Sequence, residues 1–288
     1  MSASARPLYA AGFYPDQPAS CIAALDRLVA AVRLPPDLPS RIVGALVPHA
    51  GWVYSGRTAA YAWLALTRAR PDVIVLLGAV HRPGVHRATV WSGGPWGTPL
   101  GDIPIDSALR AGILEEGAGA IEQGEQQHVG EHSLEVQAPF IKRLMPNTSI
   151  VPIQVPADAR APAVGKRIAA AIQADARSVV VVASSDLTHY GRQYGFAPAG
   201  VGPAGLAWGR ANDARLIARA LDLDSVGVLE EAAANHNACG SGALAAATSA
   251  CRALGGTSAT LLHQTTSHDE RPGDGSMFVG YASILYGT

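Results

Sequence analysis

Val179-Val180-Val181-Val182-Ala183-Ser184-Ser185-Asp186-Leu187-Thr188-His189-Tyr190-Gly191 carries both the fold and the chemistry in one stretch. Its first four residues, Val179–Val182, are β-branched without polar alternation, the pattern of a strand buried on both faces of a sheet covered by helices. The stretch then turns polar and delivers an acid and a histidine three residues apart. The same design recurs outward along the chain. Ile42–Val47 runs into Pro48-His49-Ala50-Gly51-Trp52, and Val73–Leu77 runs into Gly78-Ala79-Val80-His81. Ser149–Val155, Thr257–Leu262 and Met277–Leu285 are further apolar runs. Helical periodicity fills the gaps at Gln17–Val32, Thr58–Thr67, Ser107–Glu115, Ser133–Leu144, Pro162–Gln173, Gly205–Leu221, Ser225–Ala233 and Gly242–Leu254. Alternating strands and helices predict a single α/β domain over residues 1–288, with a central mixed or largely parallel sheet and helices on both faces. Gly93–Pro104 and Ala197–Gly205 are of loop length, not linker length.

Composition excludes several classes. Lys plus Arg number 22 against 23 Asp plus Glu, a net charge of −1 with no cationic block, so no nucleic-acid or anionic-membrane partner is expected. Three cysteines, Cys21, Cys239 and Cys251, with no CxxC pair, provide neither a disulfide framework nor a zinc ribbon. No secretory signal pattern and no apolar run of membrane-spanning length is visible, which predicts a cytoplasmic protein. P-loop and HExxH motifs are absent, and Gly240-Ser241-Gly242 lacks the preceding glycine of a nucleophile elbow.

In open α/β sheets ligands gather outside the carboxyl ends of the strands. His49, His81 and His189 all stand within a few residues of such an end. Each alone is readable as a packed core histidine; three at one edge suggest metal ligands or a general base. Asp186 either orients His189 or caps a helix beginning there. Cys239 directly precedes the helix from Gly242, whose N-terminus favours a thiolate; it reads as a metal ligand, a nucleophile or a small packed residue. Cys21 and Cys251 fall inside helices and read as inert packed thiols. His132 opens the helix from Ser133 and either lines a pocket or caps. His86, His128, His236, His263 and His268 default to surface or loop positions, His263 least safely because it ends a strand.

Several segments together resemble the Memo family, whose bacterial and archaeal members are called AmmeMemoRadiSam system protein B. They are Ala11-Gly12-Phe13-Tyr14-Pro15, Pro48-His49-Ala50-Gly51-Trp52 with Tyr54-Ser55-Gly56, Gly78-Ala79-Val80-His81, Trp96-Gly97-Thr98-Pro99-Leu100-Gly101, Glu131-His132-Ser133-Leu134-Glu135, Ser184 to Gly191, and Cys239-Gly240. The resemblance spans nearly the whole chain in order. It implies a fold like that of the class III extradiol dioxygenases, which are non-haem iron(II) enzymes. It also implies that His49, His81 and Cys239 match metal-binding positions, that His189 with Asp186 acts in proton transfer, and that His132 and Tyr54 line the cofactor site. The implied cofactor is Fe(II) or Cu, since a cysteine stands where the dioxygenases carry a carboxylate and thiolate is the softer donor. A second departure is Thr266-Ser267-His268-Asp269-Glu270, where a Ser-Gly-Asp type run is expected; a loop facing the site, and the substrate with it, differs accordingly. The implied partners are an unknown small-molecule substrate, an AMMECR-type protein and a radical S-adenosylmethionine enzyme.

Three functions follow as expectations. One is a metal-dependent redox enzyme. The second, also implied by the resemblance, is a non-catalytic binding or adaptor protein with a vestigial site. The third is cysteine nucleophilic catalysis by Cys239 with His189 or His81 as base.

Overall fold

The computed structural model describes residues 5–288. Strand alternation divides each apolar run between two cores. In β2 (Val73–Gly78), Val73, Val75 and Leu77 enter one cluster, while Ile74 and Leu76 enter the other. β6 (Val179–Ser184) does the same, with Val181 and Ala183 on one side and Val180 and Val182 on the other. This two-sided burial is why these strands show no polar face.

The sheet has nine strands among the described residues. They add β1 (Ile42–Val47), β3 (Ala88–Trp91), β4 (Ile121–Gly124), β5 (Ser149–Gln154), β7 (His189–Gly191), β8 (Ser258–Thr266) and β9 (Met277–Gly287). Their order is β4-β3-β5-β2-β6-β1-β9-β7, with β8 also paired to β9. β5, β2, β6 and β1 form a parallel centre, and β9 joins β1 antiparallel, so the sheet is mixed. One face is covered by α3 (Ser107–Glu116), α5 (Ala161–Gln173), α6 (Pro203–Leu221), α7 (Ser225–Asn235) and α8 (Ser241–Ala253). The other carries α1 (Pro18–Ala30), α2 (Trp52–Leu66) and α4 (Ala138–Leu144). A short α9 (Ser267–Glu270) links β8 to β9.

The departures from the sequence reading have local causes. β3, β4 and β7 are three or four residues long, too short to register as apolar runs. α2 begins at Trp52 rather than Thr58, because Ser55, Gly56 and Arg57 break the apolar pattern while Trp52 is buried. The helix expected from Ser133 is a 3-10 turn over Glu135–Gln137 followed by α4. Among the described residues, no helix is long and apolar enough to cross a membrane.

Candidate metal centre

Register brings the strand-end loops together. β1 and β6 pair with Val47 opposite Ser184, and β2 runs parallel to β6 with Leu77 opposite Ala183. Three loops therefore leave the sheet side by side at one edge. The Ser185 amide donates to Val47 O at 2.9 Å. One residue further on, the Asp186 carboxylate accepts the amides of His49 at 2.7 Å and Ala50 at 3.2 Å. Asp186 thus clamps a neighbouring loop; no helix starts there, and His189 opens β7 instead. Leu187 and Thr188 are fixed by backbone hydrogen bonds with Gly280 in β9.

The hydrogen bonds settle how the two metal-type histidines present themselves. The Ser184 hydroxyl donates to Ser133 O at 2.7 Å, so it accepts from His49 Nδ1, 3.1 Å away. His49 therefore carries its proton on Nδ1, and its bare Nε2 faces Cys239 Sγ at 3.2 Å. His81 Nδ1 lies 2.9 Å from Glu131 Oε1, a carboxylate that only accepts, so a proton sits on Nδ1 and, in the neutral ring, Nε2 is free. Glu131 is 1% exposed and also accepts the amides of His81 and Ser133. The donor atoms of His49, His81 and Cys239 all lie within 4.8 Å of one another. Two overlapping groups, His81-Glu131-His132 and Asp186-His189-Cys239, meet the same test.

Two glycines permit this crowding. A Cβ on Gly78 would lie 2.5 Å from Leu134 Cγ, so its absence lets the Glu131–Leu134 turn close on the end of β2. A Cβ on Gly240 would lie 2.6 Å from Ser184 O, so Cys239 reaches β6 only because its neighbour has no side chain.

Burial dominates the electrostatics. It lowers His49 to about 3, with the nearby His81 charge acting the same way. It lowers His132 to about 4, aided by His49 and His81. His189 is lowered and Asp186 raised, again first by burial. At His81 burial also opposes charge, but the Glu131 hydrogen bond and charge outweigh it and the pKa rises. Burial, reinforced by Asp186, pushes the Cys239 thiol up. α8 starts at Ser241, two residues after Cys239, so burial opposes the thiolate that the nearby helix N-terminus would favour.

A family model described as Memo-like protein matches residues 6–285. The chain belongs to the Memo family. A MEMO1 family protein of Methanothermobacter thermautotrophicus is 36% identical, the match covering 97% of this chain and 99% of the relative. A MEMO1 family protein of Pyrococcus furiosus is likewise 36% identical, covering 97% and 98%. A crystal structure of an uncharacterized protein from Escherichia coli K12 matches with a TM-score of 0.56 at 17% identity, covering 86% of this chain and 100% of that one. That likeness shows a shared fold.

In this Memo-family chain, His49, His81, His132, Asp186, His189 and Tyr54 line one cavity of about 440 Å³, with Cys239 against His49. His189 Nε2 is buried without a hydrogen-bond partner, and its ring packs 5.0 Å from Tyr194. Two histidines assigned to surface or loop are elsewhere. His268 lines the cavity, and His128 is fully buried, its Nε2 bonded to Thr89 O at 3.0 Å. His263 stacks on Tyr61 at 4.6 Å and lies outside the cavity lining.

The sequence reading gave no role to the residues that hold these candidate donors in place. Arg6, 3% exposed, donates to Glu135 at 2.6 Å and to the carbonyls of His128 and Glu131 at 2.9 Å. Glu135 in turn accepts the amides of Tyr9 and Ala10 and the Tyr14 hydroxyl. This arm carries Phe13 onto His132, ring centroids 4.6 Å apart. Asn212 bonds both Thr188 Oγ1 and Asn235 O, tying the His189 loop to the one before Cys239.

Proposed function

We propose that this Memo-family chain is a metal-dependent redox enzyme in which His49, His81 and Cys239 hold iron(II) or copper. The observation that carries the reading is the convergence of two imidazole Nε2 atoms and one sulfur, each imidazole locked through Nδ1 by a buried partner. Oriented ligands with hydrogen-bonded outer partners are the usual construction of a protein metal site. Bond lengths near 2.1 Å to nitrogen and 2.3 Å to sulfur require donors about 3.6 Å apart in a tetrahedral arrangement. The His49–Cys239 separation of 3.2 Å and the 4.8 Å limit on the whole group bracket that value. The donor set therefore fits a small transition-metal ion.

Bound there, iron(II) or copper supplies one-electron chemistry and activation of a small oxidant, with a softer donor set than two histidines and a carboxylate. The chain's own residues do the rest. Asp186 fixes the His49 loop. His189, kept neutral by burial and left with an unpartnered Nε2, accepts a proton there, and the Asp186 charge favours the resulting imidazolium. Phe13, Tyr54 and Tyr194 wall the cavity and limit water.

The Cys239–His49 contact does not make a nucleophilic dyad. Burial disfavours both thiolate and imidazolium, so without a metal cation the pair stays neutral. Metal analysis of anaerobically purified protein tests the proposal. About one iron or copper per chain is expected in wild type, and little in Cys239→Ser or His49→Ala. Wild-type protein that neither holds nor takes up either metal sinks the reading and leaves the adaptor alternative.

A further inference from the structure

The segment Thr266 to Glu270 contributes two residues to the cavity wall. Ser267 and His268 line the lumen, as do Arg271 and Gly273 just beyond. The charges there are uneven. Arg57 reaches Glu270 at 3.8 Å, and the Asp274 carboxylate accepts the Ser276 amide. Among the described residues the Arg271 guanidinium has no hydrogen-bond or ion-pair partner, and it is the one permanent cation in the lining. The only lining carboxylate, Asp186, is buried and committed to the His49 and Ala50 amides. His268 accepts the Gly273 amide on Nδ1 at 3.4 Å, which places the neutral ring's proton on Nε2 as a further donor. The remaining wall is aromatic, with Phe13, Tyr54, Tyr194, Phe278 and Tyr281 around the lumen.

We propose that the cavity selects a small monocarboxylic acid, its carboxylate held by Arg271 and its apolar body packed against Phe13, Tyr54 and Tyr194. The guanidinium fork matches a carboxylate edge to edge. A phosphate dianion is disfavoured, because Glu270 and Asp274 flank the rim and no second unpaired cation lines the lumen. About 440 Å³ accommodates a single ring with substituents. Arg271 is a specificity residue at the rim. The inference rests on the reading of this cavity as the substrate site of the metal centre.

The test uses full-length, chelator-treated protein titrated with benzoate, benzyl alcohol and phenyl phosphate, followed by calorimetry and ligand-observed NMR. Working without metal prevents benzoate from binding as a metal ligand. Benzoate is expected to bind about tenfold tighter than benzyl alcohol. Arg271→Gln removes that preference, Arg271→Lys keeps part of it, and Arg57→Gln leaves it intact. The proposal is overturned if benzoate binds no better than benzyl alcohol, if phenyl phosphate binds best, or if Arg57→Gln rather than Arg271→Gln abolishes the preference. Metal content, measured separately, keeps the two readings apart. A chain that loads metal but ignores the carboxylate refutes this inference alone. One that binds benzoate through Arg271 but never loads metal refutes the metal reading alone.

Discussion

Replacing Glu131 by Gln changes one atom and tests how the centre is held. Glu131 accepts three N–H groups: the His81 amide at 3.0 Å, His81 Nδ1 at 2.9 Å and the Ser133 amide at 2.8 Å. Gln can place its oxygen at the Oε1 position and keep the last two. Its NH₂ then faces the His81 amide, leaving a buried donor unsatisfied at about 1–3 kcal/mol. The lost charge also makes His81 a weaker electron donor. Removing such an outer partner typically costs 10–100-fold in metal affinity, or about 1.4–2.7 kcal/mol. A loss of roughly 30-fold is therefore expected at neutral pH, read by competition against a chromophoric chelator. The pH dependence gives a second handle. Glu131 raises the His81 pKa, so protons compete with metal for this ligand from a higher pH in wild type. The gap between wild type and Glu131→Gln should narrow on acidification. A variant that keeps its melting temperature and binds metal within about twofold of wild type at neutral pH refutes the role given to Glu131.

Two further predictions concern stability. Asp213 is buried, and burial raises its carboxyl to about 7, against hydrogen bonding from Thr188. The folded state keeps a proton that the unfolded chain releases near the ordinary aspartate value. Stability should thus fall by about 1.4 kcal/mol per pH unit from there up to about 7, then level off. Asp213→Asn should flatten that slope in urea denaturation, and parallel curves for the two proteins would count against it. Arg6→Ala strips the buried Glu135 of its cation and should cost about 3 kcal/mol or more in thermal unfolding, with Arg6→Lys recovering part. A melting temperature unchanged by Arg6→Ala would mean that the arm does not anchor the cavity wall.

The candidate site was legible in the sequence where chemistry coincides with a strand end. His49, His81 and Asp186 follow apolar runs directly, and the parallel register alone brings them to one edge. Cys239 was visible as a thiol just before two glycines, although the burial that opposes its thiolate was not, since helix position says nothing about desolvation. Glu131 and Arg6 were silent because their partners are distant in the chain; Arg6 and Glu135 stand 129 residues apart. His268 was misplaced because polar loop sequence looks the same whether it faces bulk solvent or folds over a cavity mouth. Short strands such as β4, reading Ile121-Glu122-Gln123-Gly124 at the sheet edge, carry too little apolar signal to announce themselves.

The contact between His49 and Cys239 spans 190 residues of sequence. During synthesis the two imidazoles are therefore made long before the sulfur that completes their group. The loop bearing His189 gains its β9 support later still. An emerging chain cannot assemble the three-donor set, and closing so long a loop comes late in folding because its entropy must be met by contacts already made. On the metal-centre reading, an ion would enter a finished protein, making metal uptake a readout of completed folding. Chains stalled before Cys239 would carry paired histidines without the donor that tunes them.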